Sequence, residues 1–150
     1  MIIYSEPKIA SDLPVIDIGP SFSGDRASCT PVASEIRAAC RDTGFFYISN
    51  HGVDQSLIEG AFAEANRFFD QPECWKEKWR KQGISNGYEP PETQRLDNES
   101  PGDIKESFNF TMGNSPGTPG YKVNIWPENF PGFRKRLEEY KEAVWQAGLQ

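Results

Sequence analysis

More than half of the chain's 13 glycines and of its 12 prolines fall between positions 83 and 132, where apolar residues come only in short pieces such as Ser107-Phe108-Asn109-Phe110 and Val123-Asn124-Ile125-Trp126. Glycine raises the entropy lost on ordering, and proline removes donors from helix and sheet ladders, so no long helix or wide sheet runs through this third of the molecule. An irregular segment of that length inside a compact domain is usually a functional loop or one ordered by a partner. It is the first place to look for a site, and regular structure has to come from its flanks.

The flanks carry clear periodicities. Leu13-Pro14-Val15-Ile16-Asp17-Ile18, stopped by Gly19-Pro20, reads as an edge or entry strand with Pro14 at its beginning. Thr30-Pro31 reads as the N-cap and first residue of a helix that places Val32, Ile36, Ala39 and Cys40 on one face and ends near Asp42. Phe45-Phe46-Tyr47-Ile48-Ser49 is apolar on both faces, as a strand covered on both sides would be, and Asn50-His51-Gly52 is the turn after it. From Asp54, an N-cap, a helix gathers Leu57, Ile58, Ala61, Phe62, Ala65, Phe68 and Phe69 into a stripe. Gly60 sits inside that helix at a cost of about 1 kcal/mol relative to Ala, which points to a close packing contact. Pro72 opens a short helix with Trp75 and Trp79 on one face and Gly83 as its stop. After the irregular third, Phe133, Leu137, Tyr140, Val144 and Ala147 line a last helix, with Arg134–Glu138 and Lys135–Glu139 paired four residues apart.

The 150 residues are enough for one domain with its own core. Acidic residues outnumber basic ones 22 to 16, for a net charge of −6, and no basic stripe offers itself to nucleic acid. No apolar run approaches the roughly 20 residues needed to span a bilayer, so the expected compartment is the cytoplasm. Cys29, Cys40 and Cys74 match neither a metal knuckle nor an even-numbered disulfide framework and read as reduced, mostly buried thiols. Histidine is the most restrictive count, because there is one, His51. A facial iron triad needs two imidazoles and a catalytic zinc usually takes two or three, so this chain cannot build either from its own histidines. His51 reads as a structural hydrogen-bonder in its turn.

In order along the chain, these pieces resemble a known family. Leu13-Pro14-Val15-Ile16-Asp17, an amphipathic helix, Gly44 to Val53 read as GFFYISNHGV, a helix ending Phe68-Phe69, and Pro72 resemble the N-terminal domain of the isopenicillin N synthase-like iron- and 2-oxoglutarate-dependent dioxygenases. Asn86-Gly87-Tyr88 looks like the family's Gly-Tyr element, and Asp103-Ile104-Lys105-Glu106-Ser107-Phe108 resembles its Asp-x-Lys-Glu-x-Phe segment. Asn124-Ile125-Trp126-Pro127 with Pro131-Gly132-Phe133 looks like the approach to its last N-terminal helix.

The resemblance implies an α+β fold, with residues 1–12 as an extension and 13–150 as a domain of helices and short strands that packs on a double-stranded β-helix, or jelly roll, not present in these residues. In the family that second half supplies a His-x-Asp motif, a distal His and an Arg-x-Ser pair for Fe(II) and 2-oxoglutarate; no His-x-Asp motif and no second His occur here, and the one Arg-x-Ser triplet, Arg26-Ala27-Ser28, lies in the N-terminal stretch and not in a second half. The implied function is therefore the N-terminal portion of a truncated non-haem oxidoreductase of specialised metabolism that hydroxylates, desaturates or cyclises a small molecule. This chain is expected to hold no catalytic residue, metal or cofactor of its own. The alternative is a stand-alone, non-catalytic remnant acting as a binding or interaction module.

Tyr88 reads either as packing beneath the irregular segment or as a phenol facing the substrate, and Asn109 and Phe110 carry the same two readings; the resemblance implies substrate binding for all three. Lys105 and Glu106 read as a solvated or structural pair. Strand edges left without the β-helix half expose apolar side chains, which implies self-association and a weakly supported segment between positions 85 and 129.

Overall fold

The computed structural model describes residues 13–97, 99–111, 116–117 and 119–149. The extension expected over positions 1–12 lies outside the described residues. The chain divides into two compact units, one of residues 13–54 with 142–149 and one of residues 55–141.

In the first unit, β1 (Val15–Asp17) and β2 (Tyr47–Ser49) form a two-stranded parallel sheet joined through a 3-10 turn (Gly19–Ser23) and α1 (Arg26–Asp42). Ile16 pairs with Ile48 in the register, and Ile16, Ile18, Val32 and Ala39 make the core with Ile36 and Phe46 packed against it. The strand expected over positions 45–49 is shorter and barer than the sequence suggests. Phe45, Tyr47 and Ile48 are exposed, because two strands cover little of an apolar face.

Helix α1 also begins earlier than the Thr30-Pro31 pair indicates. Asp25 caps it by accepting the Ser28 amide at 3.1 Å, while the Thr30 hydroxyl donates to the Arg26 carbonyl and Pro31 lies inside the helix. All three cysteines are free, but they are not mostly buried: Cys29 is half-buried and Cys40 and Cys74 are exposed. Cys40 falls at the edge of the α1 stripe, where Val32 and Ala39 fill the interior.

The second unit holds α2 (Gln55–Phe69), α3 (Glu73–Lys76) with a 3-10 turn (Glu77–Trp79), and α4 (Phe133–Gly148), which continues into the first unit. β3 (Tyr88–Glu89) and β4 (Ser107–Phe108) pair antiparallel within the irregular third, Tyr88 opposite Phe108. The core is aromatic: Phe68, Tyr88 and Phe133 are fully enclosed, with Trp75, Trp79, Phe108, Trp126 and Phe130 around them. Phe62, expected on the buried stripe of α2, is 65% exposed. The short helix ends at Trp79, before Gly83, as the chain turns to send the Lys81 amide to the Tyr88 carbonyl at 2.9 Å.

The segment after residue 85 is not left without support. The Asn86 amide donates to the Val123 carbonyl at 2.8 Å, the Ile125 amide to the Asn86 carbonyl at 2.9 Å, and the Asn109 amide to the Gly87 carbonyl at 2.9 Å. Asn86 Nδ2 reaches Asn124 Oδ1 at 3.0 Å and Thr111 Oγ1 at 3.1 Å, and Asn124 Nδ2 donates to the Thr111 carbonyl at 2.6 Å. Side-chain amides thus replace the ladder that glycine and proline prevent.

Two glycines have opposite roles. A Cβ on Gly87 would lie 2.6 Å from the Trp79 carbonyl oxygen, so only glycine lets the two strands of backbone meet. A Cβ on Gly60 would meet the Arg136 side chain at an ordinary 3.6 Å, so the close contact expected there is absent. Gly87→Ala should lower unfolding stability by about 1–3 kcal/mol, and Gly60→Ala should raise it by up to about 1 kcal/mol. Urea titrations of the two variants check both signs.

Candidate functional site

The β3–β4 pair places two glutamates in the interior, and each is answered by a lysine. Glu106 precedes β4 and receives Lys76 Nζ at 2.7 and 2.9 Å and the Tyr88 hydroxyl at 2.6 Å. Lys76 also donates to the Phe69 carbonyl at 2.9 Å, which anchors the ammonium to the end of α2. Glu106 is therefore not half of a solvated pair with its neighbour; Lys105 turns instead to Asp103 at 3.3 Å in solvent. Burial pushes the Glu106 carboxyl up, but the hydrogen bonds from Lys76 and Tyr88 and the lysine's charge outweigh it and hold the group below its ordinary value. Burial, the hydrogen bond to Glu106 and the nearby carboxylates push the Tyr88 phenol well above the usual range.

Glu89 is 4% exposed. Its Oε2 accepts from Gln94 Nε2 at 2.6 Å, Asn109 Nδ2 at 3.1 Å and Ser107 Oγ at 3.3 Å, and its Oε1 pairs with Lys81. A buried carboxylate is tolerated only with such donors.

The residues singled out from sequence separate here. Tyr88 is 0% exposed, with its ring 5.9 Å from Phe68 and its hydroxyl spent on Glu106. Asn109 is exposed and turns Nδ2 inward to Glu89, and among the described residues no donor reaches its side-chain oxygen. Phe110 is half-buried, 5.1 Å from Trp126, with Lys141 Nζ 5.3 Å from its ring. Sequence reasoning missed Lys76 and Glu89. Nothing local signals them, because Lys76 meets a partner 30 positions away and Glu89 one 20 positions away.

His51 accepts the Val53 amide at Nδ1, 3.1 Å away, inside its turn. Among the described residues no group of three or more His, Cys, Asp or Glu is arranged to hold a metal ion. With the chain's one imidazole engaged in a turn, and with Glu89 and half-buried Glu106 held by lysines, this donor set does not fit a two-His, one-carboxylate iron site.

Residues 13–129 match the family model described as the N-terminal part of a non-haem dioxygenase in morphine synthesis. The chain belongs to the non-haem dioxygenase N-terminal domain family. Curated relatives include isopenicillin N synthase of Streptomyces microflavus, 33% identical over 91% of this chain and 44% of that protein, and gibberellin 20 oxidase 1 of Arabidopsis thaliana, 34% identical over 93% and 37%. Among solved structures, a putative 2OG-Fe(II) oxygenase of Caulobacter crescentus superposes with a TM-score of 0.72 at 23% identity, covering 93% of this chain and 46% of that one. A full-length Neurospora crassa protein solved in complex with alpha-KG superposes at 0.70 and 23%, covering 88% and 42%. The dioxygenase N-terminal domain thus spans less than half the length of these relatives, and their jelly-roll portion is not in it.

The Lys76–Glu106 ion pair of this domain is testable by removing one partner. Lys76→Met should destabilise by about 1–3 kcal/mol, because it leaves the half-buried Glu106 carboxylate without its counter-charge. Glu106 lies below its ordinary value in the folded chain, so its contribution is fully present above the ordinary carboxyl range and is lost as pH falls through and below it. Tyr88 lies above its own, so its contribution is present below about pH 10 and is lost as pH rises beyond that. Melting temperatures followed from pH 6 to pH 3 should fall more steeply for the wild type than for Glu106→Gln. From pH 9 to pH 11 they should fall more steeply for the wild type than for Tyr88→Phe.

Proposed function

We propose that this chain is the N-terminal part of a cytoplasmic non-haem Fe(II)- and 2-oxoglutarate-dependent oxidoreductase that hydroxylates, desaturates or cyclises a small molecule. The observation that carries the reading is the family match over residues 13–129, together with a donor set that does not suit the metal. The iron and the 2-oxoglutarate belong to residues outside this chain, and the domain's own part is to form a wall against the substrate. Asn109 offers a carbonyl oxygen, and Phe110 offers a ring to an apolar body. Tyr88 serves this wall from behind, by fixing Glu106 and the β3–β4 pair that carries Asn109.

The 150 residues by themselves self-associate in this reading, through Val15, Phe45 and Tyr47, which stand exposed on and beside the two-stranded sheet. Sequencing the transcript through the codon for Gln150 tests the proposal. The expected result is an open frame continuing into a His-x-Asp segment, a later His and an Arg-x-Ser pair; a stop codon in place of that frame would overturn it. Calorimetry gives a second check. The 150-residue chain should show no stoichiometric micromolar Fe(II) site and no tightening on adding 2-oxoglutarate, and a site that tightens would contradict the assignment of metal and cosubstrate to other residues.

A further inference from the structure

Glu89 is a buried charge to which the proposed function gives no role. Lys81 pairs with its Oε1, while Gln94 Nε2, Asn109 Nδ2 and Ser107 Oγ donate to its Oε2 at 2.6, 3.1 and 3.3 Å. Replacing a buried ion by a well-packed apolar side chain is often neutral or stabilising, so packing alone does not account for Glu89. Its effect on its neighbours does. An ionised carboxylate accepts and never donates, so a carboxamide bonded to it has one orientation, NH2 toward the carboxylate and oxygen away. Two carboxamides are held in this way. Asn109 directs its amide hydrogens to Glu89 Oε2 and to Ser107 Oγ, 3.4 Å away, and Ser107 in turn donates to Glu89. Gln94 turns its amide to the same Oε2. Both residues are exposed, and among the described residues no donor reaches Asn109 Oδ1 or Gln94 Oε1.

We propose that Glu89 sets the hydrogen-bonding polarity of this face: it turns the oxygens of Asn109 and Gln94 away from itself together, so the face accepts and does not donate, and the small molecules it takes carry a hydroxyl or N–H donor where they meet it. The inference rests on the reading of Asn109 as part of the substrate wall, and it narrows the class of that substrate. A ligand carbonyl or carboxylate at this contact would set oxygen against oxygen, whereas a donor completes the acceptor that each amide leaves open. Lys81 balances the charge of Glu89, so the polarity comes from oriented amides and not from a net charge that would draw cations. Glu89 is thus a positioning residue that acts through Asn109 and Gln94 without touching the ligand.

Three probes of nearly one shape test this. Acetone only accepts, acetamide replaces one methyl by an N–H donor, and isopropanol carries an O–H donor. Each is titrated to molar concentration into the 150-residue chain while the side-chain amide resonances of Asn109 and Gln94 are followed by NMR. Isopropanol or acetamide should occupy the face about fivefold or more over acetone, as one net hydrogen bond gives, and the stronger of the two identifies the donor as O–H or N–H. In Glu89→Gln the side chain can donate as well as accept, the two carboxamides are free to turn, and the preference should fall to within about twofold. Asn109→Ala, at an exposed position, is the second variant: the preference read at the Ser107 and Phe110 backbone amides should vanish while that at Gln94 persists. Acetone binding the wild type as well as the donor probes do, no probe binding at all, or a preference unchanged in either variant would overturn the inference. None of these results bears on the reading frame beyond Gln150, so the proposed function stands or falls separately.

Discussion

The ring of Phe68 is the contact on which the second unit depends. It is fully buried, stacks on Phe133 at 4.9 Å, and meets Phe108, Phe69, Trp75, Tyr88 and Phe130 edge-on at centroid distances up to 6.3 Å. Those rings come from α2, α3, β3, β4, the loop before α4 and the start of α4, so a single side chain joins the α-helices and strands of the unit. Edge-to-face pairs of this kind contribute about 0.5–1.5 kcal/mol each beyond area burial, and truncating a buried Phe costs about 3–5 kcal/mol, much of a domain's total stability. An aromatic hub also explains how a third of the chain so rich in glycine and proline can have a defined path.

Buried polar groups then set the local detail that rings cannot. Tyr88 brings its hydroxyl into the interior with its ring, Glu106 accepts it, and Lys76 neutralises Glu106 while holding the last carbonyl of α2. Glu89, on the next residue of β3, does the same for Gln94, Ser107 and Asn109. The two glutamates therefore determine which way the β3–β4 pair faces and leave Asn109 outermost.

The helices were legible because their burial is periodic: the stripes of α2 and α4 and the Arg134–Glu138 and Lys135–Glu139 pairs follow from spacing alone. The start of α1 was not, since Asp25 is followed by a polar turn that hides the first helical residues behind the more conspicuous Thr30-Pro31. The family was legible from short motifs in order, which survive where pairwise identity is low. The site was legible only in part. Asn109 and Phe110 lie at the surface and can be ranked from sequence, but the inward turn of Tyr88 depends on Lys76 and Glu106, and no local pattern ties those positions together. Polar networks across 20 to 38 positions are invisible to periodicity, and here they replace the missing ladder.

The account's central claim is that the irregular third is held by this aromatic hub and its amide network within the 150 residues themselves. Native-state hydrogen exchange on that chain tests it most directly, read at the amides of Asn86, Asn109 and Ile125, which donate to the Val123, Gly87 and Asn86 carbonyls. The account predicts protection close to that of the α2 amides, lost together with them in Phe68→Ala. Free exchange at those three positions while α2 stays protected would contradict it.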